Sequence, residues 1–332
     1  MKIAYLGPEG SYSHLAAEIF LKETKGADDK APFERDECIP FRNFPEVFAA
    51  VESGRVAAAA VPIENSLQGG VLQNLDLLQC ADGLYAVREH VLKIDHRLIY
   101  RTGTPFREIG RVYSHRQALD QCAAFLSRET PFAALKETES TALGIGKAAD
   151  DESGKSAAIA GAHTAFIPDG FTMSEECVSD EKNNFTQFLL IEKGRERLPE
   201  ASDKFFFSTV CPHRPGSLMS LLRIIAAHGI NMTKIESRPV KDRPGEYRFF
   251  VEAEGDAAGE RVKDALSEIE KGVLECKLLG AYKRAMYGLS RSGKRLEIRY
   301  RATNSRQRKN APAACKSFTD RNTNRLTSAE RR

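Results

Sequence analysis

Four times in the first 170 residues a short apolar strand runs into a turn of small residues and then into a helix start. Lys2 to Leu6 alternates like a buried strand, Gly7-Pro8-Glu9-Gly10 turns the chain, and Ser11 can cap a helix running to about Lys22. Arg111 to Tyr113 leads through Ser114, a plausible N-cap, into HRQALDQCAAFLSRE, an amphipathic helix with Leu119, Ala123 and Leu126 toward the core. Phe132 to Leu135 precedes Glu139-Ser140-Thr141 and the helix ALGIGKAADD, and Ala157 to Ala160 precedes Gly161-Ala162-His163-Thr164. Cys38 to Arg42 and Val56 to Val61 are further strands around the helix Pro45 to Ser53. This alternation predicts an α/β fold. Leu84 to Tyr100 reads as two long strands crossing into a second lobe, about residues 95–170, and Phe171 to Val178 with Asn184 to Glu192 return the chain to the first.

From Lys204 the pattern changes to strand KFFFSTVC, helix LMSLLRIIAAHG, strands INMTKIESRPV and 246–254, helix 259–271 and strand 273–282. That order, βαββαβ, predicts a ferredoxin-like domain. The expected divisions are 1–195, 204–285 and a tail, 288–332. The tail holds 13 Lys/Arg against 3 Asp/Glu, so the overall +3 hides a body at −7. Without apolar periodicity or interleaved aromatics, it reads as a solvated, disordered extension, with no nucleic acid or membrane as partner. Seven widely spread cysteines show no CxxC or Cys/His ligand spacing, so reduced thiols, no metal and a cytoplasmic location are expected. The first ten residues are too short for a signal h-region, and no apolar run approaches the ~20 residues of a membrane span.

Candidate chemistry gathers at a few points. In the strand Asn184 to Glu192, Thr186 shares a face with Phe188 and Leu190, opposite Gln187 and Leu189, so its hydroxyl should point inward. A core threonine satisfied by a carbonyl would read the same way. The run VAAAAV ends in Pro62 and then delivers Glu64, Asn65 and Ser66 beyond the strand's carboxyl end, where open α/β sheets bind ligands; a polar loop satisfying its own backbone is the plain alternative. Ser114, Gln117 and Gln121 fall on nearly one helical face. Helix starts at Ser11, at Ser140-Thr141 and at Gly161-Ala162 would present backbone amides to an anion.

Taken in order, GPEGSYSH (7–14), VPIENSLQGGV (61–71), SHRQALDQC (114–122), STA (140–142), AAIA (157–160), NNFTQF (183–188), PGSL (215–218) and IESRP (235–239) resemble prephenate dehydratase with a C-terminal ACT regulatory domain, over about residues 1–285. The resemblance implies a two-lobed type II periplasmic-binding-protein-like catalytic domain with its active site between the lobes. No mutase helix precedes Met1, so a stand-alone dehydratase is expected. It makes Thr186 the central catalytic hydroxyl, with Glu64, Asn65, Ser114 and Gln121 as catalytic cleft residues. Ser11, Ser140, Thr141, Gly161, Ala162 and Gln187 are expected to bind substrate. It makes Gly216, Ser217 and Leu218, with Glu236, Ser237, Arg238 and Pro239, the L-phenylalanine-binding elements. The sequence departs from the family where Gln187 follows Thr186 in place of the usual arginine, and where Arg116 replaces proline after Ser-His; Arg116 would then supply the missing charge.

The implied lyase reaction, a step of phenylalanine biosynthesis, converts prephenate to phenylpyruvate, carbon dioxide and water without a cofactor. Thr186 acting as hydrogen-bond or relay donor and a buried Glu64 of raised pKa are alternative proton sources. Arogenate dehydratase and a non-catalytic sensor are the alternative functions. An unpaired ACT sheet edge predicts a homodimer or homotetramer, with L-phenylalanine inhibiting allosterically.

Overall fold

Alternation between strand and helix divides the chain between two sheets, one of which continues into the C-terminal domain. The computed structural model describes residues 1–24, 37–164 and 167–285; the basic tail expected over 288–332 lies outside them. The first lobe contains β1 (Lys2–Leu6), α1 (Tyr12–Thr24), β2 (Glu37–Phe41), α2 (Phe44–Glu52), β3 (Ala58–Asn65), β4 (Gly69–Gly70), α3 (Leu72–Cys80) and β5 (Leu84–Lys93). The second contains β6 (His96–Arg101), β7 (Arg111–Ser114), α4 (Arg116–Asp120), α5 (Ala123–Glu129), β8 (Ala134–Glu137), α6 (Thr141–Ala149), β9 (Ser156–Gly161) and β10 (Phe171–Met173). The chain returns as β11 (Phe185–Lys193), then forms β12 (Lys204–Val210), α7 (Ser217–Ala227), β13 (Met232–Pro239), β14 (Tyr247–Glu254), α8 (Glu260–Gly272) and β15 (Glu275–Tyr282). This last order is the expected βαββαβ unit.

Among the described residues the second-lobe sheet runs β10-β6-β9-β7-β8, and the larger sheet runs β13-β14-β12-β15-β5-β11-β3-β1-β2. The join between domains is the parallel bridge Gly280↔Ala86. A Cβ at 280 would collide with the Ala86 backbone, so the strands meet only because residue 280 is glycine. Both faces of the first-lobe sheet are covered, which is why β3 opens as a run of small apolar residues. Ala58, Ala60, Phe188 and Leu190 pack on Ala16, Ala17 and Phe20 of α1. Ala59, Val61, Leu189 and Ile191 pack on Val47, Leu75 and Leu78 of α2 and α3, and the same cluster takes in Phe206, Phe250 and Tyr282 of the C-terminal domain. The period of two splits the FFF run: Phe205 and Phe207 face α7 and α8, whereas Phe206 faces the first lobe. Full burial of each such ring contributes about 2–3 kcal/mol, so the domains share a core.

Several local expectations are corrected. β3 does not stop at Pro62 but continues to Asn65. Its ladder to β1 ends at Ala60, and its ladder to β11 shifts register opposite Gln187/Phe188, so Pro62 sits where a missing N–H is tolerated. Ser114 is the last residue of β7 and not a cap; His115 caps α4 through its ring nitrogen. The single helix expected after it breaks at Gln121-Cys122. Asp180 explains the break: its carboxylate accepts from Ala124 N and Phe125 N at 2.9 and 3.0 Å, and its amide donates to Gln121 O. The break exposes Ala123 and buries Ala118 and Cys122 with Leu119 and Leu126. The strand expected at Phe132 begins at Ala134, leaving Phe132 83% exposed.

Candidate active site

In antiparallel pairing, opposed residues project from the same face of the sheet. Thr186 pairs with Asn65, and Gln187 with Glu64. Thr186 and Asn65 therefore lie on the α1 face, with Phe188, while Gln187 and Glu64 lie on the face that meets the C-terminal domain. This register puts the four residues expected in the cleft on two opposite faces of the sheet, two on each.

Around Thr186 the hydrogen-bond directions are fixed from one end. Leu67 N and Gln68 N can only donate, and both reach Asn65 Oδ1, at 3.1 and 3.2 Å. Asn65 Nδ2 must therefore face the other way, where it donates to Thr186 Oγ1 at 2.9 Å and Asn184 Oδ1 at 2.7 Å. Asn184 Nδ2 in turn donates to Gln121 Oε1 at 3.1 Å, and His96 Nε2 donates to the same oxygen at 3.0 Å. Two donors are left over. Thr186 uses its oxygen as acceptor, and no described residue accepts its hydrogen; Gln121 Nε2 is buried without a partner. Burial pushes the His96 pKa below its ordinary value against the opposing bond from Gln121, keeping the ring neutral. The group joins both lobes, because Asn65 and Thr186 belong to the first, Gln121 and His96 to the second, and Asn184 to the returning segment.

The other expected substrate-side residues have definite partners. Ser114 is fully buried and donates to Ile159 O at 2.7 Å, so it ties β7 to β9 and is not a cleft donor. The Ser11 hydroxyl accepts from His14 N at 3.2 Å, and the Ser140 hydroxyl from Leu143 N at 3.1 Å; each caps a helix, with half-buried Thr141 following Ser140. The Ala162 amide is not open to an anion, because it donates to Asp95 O at 2.8 Å. Gly161 lets the His163 ring fold back, where a Cβ would collide with it, and His163 Nε2 donates to Gly10 O at 3.0 Å across the lobes. Tyr12 packs on His163 at 4.4 Å between ring centroids and bonds Asp95 O at 2.8 Å. Asn184, His96, His163 and Tyr12 complete the inter-lobe junction; their partners lie as far as 153 residues away, which no local spacing reveals. Among the described residues no three His, Cys, Asp or Glu side chains gather as metal ligands.

The family model for prephenate dehydratase matches residues 3–196, and that for the ACT domain matches 206–271. The chain belongs to the prephenate dehydratase family. The bifunctional chorismate mutase/prephenate dehydratase of Aquifex aeolicus is 34% identical over 86% of this chain and 74% of the relative. The prephenate dehydratase of Amycolatopsis methanolica is 32% identical over 86% and 89%. The solved prephenate dehydratase of Arthrobacter aurescens in complex with L-Phe superposes with a TM-score of 0.73 at 30% identity, covering 86% of this chain and 90% of that one.

Within this prephenate dehydratase fold, the residues turned away from the cleft engage the ACT domain. Gln187 is not placed to bind substrate: its amide donates to Glu89 Oε1 at 3.0 Å and Glu252 Oε2 at 2.8 Å. Lys204 lies 2.9 Å from each of the same carboxylates, Tyr282 donates to Glu252 at 2.7 Å, and Ala285 N donates to Glu89 at 3.1 Å. Burial opposes the Lys204 charge, but Glu252 and Glu89 outweigh it and raise the pKa. Burial likewise opposes the Glu252 charge, but Lys204 and the hydroxyls of Thr233 and Tyr282 hold its pKa below the ordinary value. Glu64, on the same face as Gln187, is 41% exposed and lies 2.8 Å from Lys234 Nζ. Its side chain is more exposed than the buried carboxyl expected there. Arg116 supplies no charge to these residues, because it is exposed and pairs with Glu137 and Asp120.

The expected effector residues divide into two places. Ser217 and Leu218 line a cavity of ≈ 390 Å³ with His213, Arg214, Tyr247 and Phe249, and buried Ser217 Oγ has no partner. Gly216 takes the left-handed conformation, φ 84°, that starts α7. Glu236 and Arg238 face the catalytic lobe instead: Arg238 pairs with Asp76 at 2.6 Å, and Glu236 lies against Gly70. Ser237 and Pro239 point outward.

Proposed function

We propose that the inter-lobe site dehydrates and decarboxylates prephenate, with Thr186 as the donor to the departing oxygen. The bond between the ring and its carboxylate breaks to release carbon dioxide, its electron pair aromatises the ring, and the C4–O bond breaks. The leaving hydroxide takes one proton and departs as water, leaving phenylpyruvate. The supporting observation is the fixed direction of the Asn65 amide, which occupies the Thr186 oxygen and leaves its hydrogen for a guest. A positioned hydroxyl suits a hydrogen-bond or relay role. Gln121 Nε2 is the second donor, held by Asn184 and His96, and would orient the substrate. Ultraviolet detection of phenylpyruvate after prephenate is offered should give turnover in the wild type and about 10²-fold less in Thr186→Ala. No phenylpyruvate from the wild type, or near-full turnover in the variant, would overturn the reading.

The ACT domain carries the regulation in this proposal. L-phenylalanine binds beside the unpartnered Ser217 hydroxyl and lowers prephenate affinity by about 5- to 150-fold, the range of ordinary allosteric coupling. One edge of the ACT sheet is joined to β5 through β15, whereas β13 ends the sheet with Thr233, Ile235, Ser237 and Pro239 exposed. Pairing of that edge with a second copy would give a homodimer or a tetramer built from it. Among the described residues no helix is long and apolar enough to cross a membrane; a cytoplasmic location is part of this proposal.

A further inference from the structure

We propose that Lys234, on the ACT strand β13, is a positioning residue of the dehydratase site, acting through Ile63 and Glu64 on Asn65. The inference rests on the reading of Asn65 and Thr186 given above. β13 alternates, so Lys234, Glu236 and Arg238 point inward along residues 63–76 of the catalytic lobe. Lys234 is only 9% exposed, and its ammonium lies 2.8 Å from Glu64 and 3.5 Å from Ile63 O. It thus clasps the two residues immediately before Asn65. Ile63 stands where the β3–β11 ladder shifts register, between Pro62 paired to Phe188 and Glu64 paired to Gln187. An extra residue disrupts the ladder locally, and Lys234 adds a side-chain contact at that point to the backbone bonds from Val71 N, β4 and β11 that hold the strand end.

Asn65 depends on that register, because its oxygen must meet Leu67 N and Gln68 N while its amide meets Thr186. Lys234 is the cation paired with Glu64. Glu236, two residues on, lies against Gly70, the β4 partner of Glu64. Without the ammonium, Glu64 would face a like charge and lose its tether. The ACT domain therefore braces the catalytic amide from the opposite face of the sheet, without touching the substrate.

Lys234→Gln in the full chain should lower kcat with prephenate by about 3- to 30-fold, the range for mutations that act through a connecting element. KM should change less than twofold, and Lys234→Arg should restore most of the rate. Asp76→Asn is the control, because it breaks the other inward ion pair of β13 without touching residues 63–65. It should leave kcat near wild type. Hydrogen exchange supplies a readout independent of turnover: the Leu67 and Gln68 amides should exchange faster in Lys234→Gln and stay protected in Asp76→Asn and Lys234→Arg. Equal kcat and equal exchange in Lys234→Gln and Asp76→Asn would overturn the proposal and leave Lys234 as a docking contact. A wild type inactive on prephenate would instead remove the functional reading, and the exchange comparison would still decide the role of Lys234.

Discussion

Two buried polar groups flank β11, and they are built in opposite ways. On the cleft face, Asn65, Thr186, Asn184, Gln121 and His96 are all neutral, and two donors are left without acceptors. On the ACT face, Gln187, Glu89, Lys204, Glu252 and Tyr282 are largely charged and bonded to one another. A neutral network with spare donors can accept a charged guest without losing any ion pair of its own. A charged network with its partners in place fixes two domains against each other, since breaking any one contact strands a buried charge. Adjacent residues of one strand, Thr186 and Gln187, thus belong to two different networks on opposite faces.

The contrast is most exposed to attack at Lys204. Lys204→Met leaves Glu89 and Glu252 buried without their cation and should cost about 3–5 kcal/mol of stability, read as a lower midpoint in thermal or urea unfolding. A loss under 1 kcal/mol would mean the ACT-face cluster is not the joint described. On the cleft face, Asn65→Asp keeps the shape but removes the donor and adds a charge beside a dianionic substrate. It should cut kcat about 10²-fold, equivalent to roughly 2.7 kcal/mol on the barrier, and also lower the unfolding midpoint, because the new carboxylate faces Asn184 Oδ1 and Phe185 O.

Acid separates the faces through their pKa shifts. Glu252 is held below its ordinary 4.5, so the unfolded chain takes the proton first and the cluster's contribution, full above pH 4.5, is lost as pH falls below it. His96 is held below its ordinary 6.5 by burial, so stability also declines as pH falls through 6.5. Urea midpoints from pH 8 to 4 should therefore fall in two stages. His96→Gln should reduce the upper one only in part, because burial holds His163 low as well. A midpoint that stays level between pH 7 and 5.5 would contradict a neutral cleft. The smallest effect is expected from Gln187→Arg, which puts a second cation between two carboxylates. It should raise stability by about 1–2 kcal/mol and leave kcat within about twofold; a large gain in kcat would return residue 187 to the cleft.

Much of this architecture was legible in the sequence. The alternation through Asn184 to Glu192 placed Thr186 and Gln187 on opposite faces, and the change of pattern at Lys204 marked the βαββαβ domain. What alternation within one strand lacks is the identity of the neighbour on each face. Gln187 therefore read as a substrate ligand where an arginine was missing, whereas its partners are Glu89 and Glu252, 98 and 65 residues away. Glu64 was misplaced because Pro62 reads as a strand end, and the register shift that lets β3 continue needs β11 beside it. The break at Gln121 was equally invisible, since Asp180, which caps α5, lies more than 50 residues downstream. Ser114 kept a helical phase only as long as the helix was assumed to begin there.

On the proposed reading, the register of β3 and β11 sends Thr186 to the chemistry and Gln187 to the domain joint. This assignment is tested most directly by measuring kcat with prephenate and the unfolding midpoint side by side in Thr186→Val and Gln187→Leu. Thr186→Val should lose about 10²-fold in kcat with less than about 1 kcal/mol of stability, and Gln187→Leu should keep kcat within about threefold while losing about 2–3 kcal/mol. A Gln187→Leu enzyme that is stable but inactive, beside a Thr186→Val enzyme that turns over normally, would contradict it.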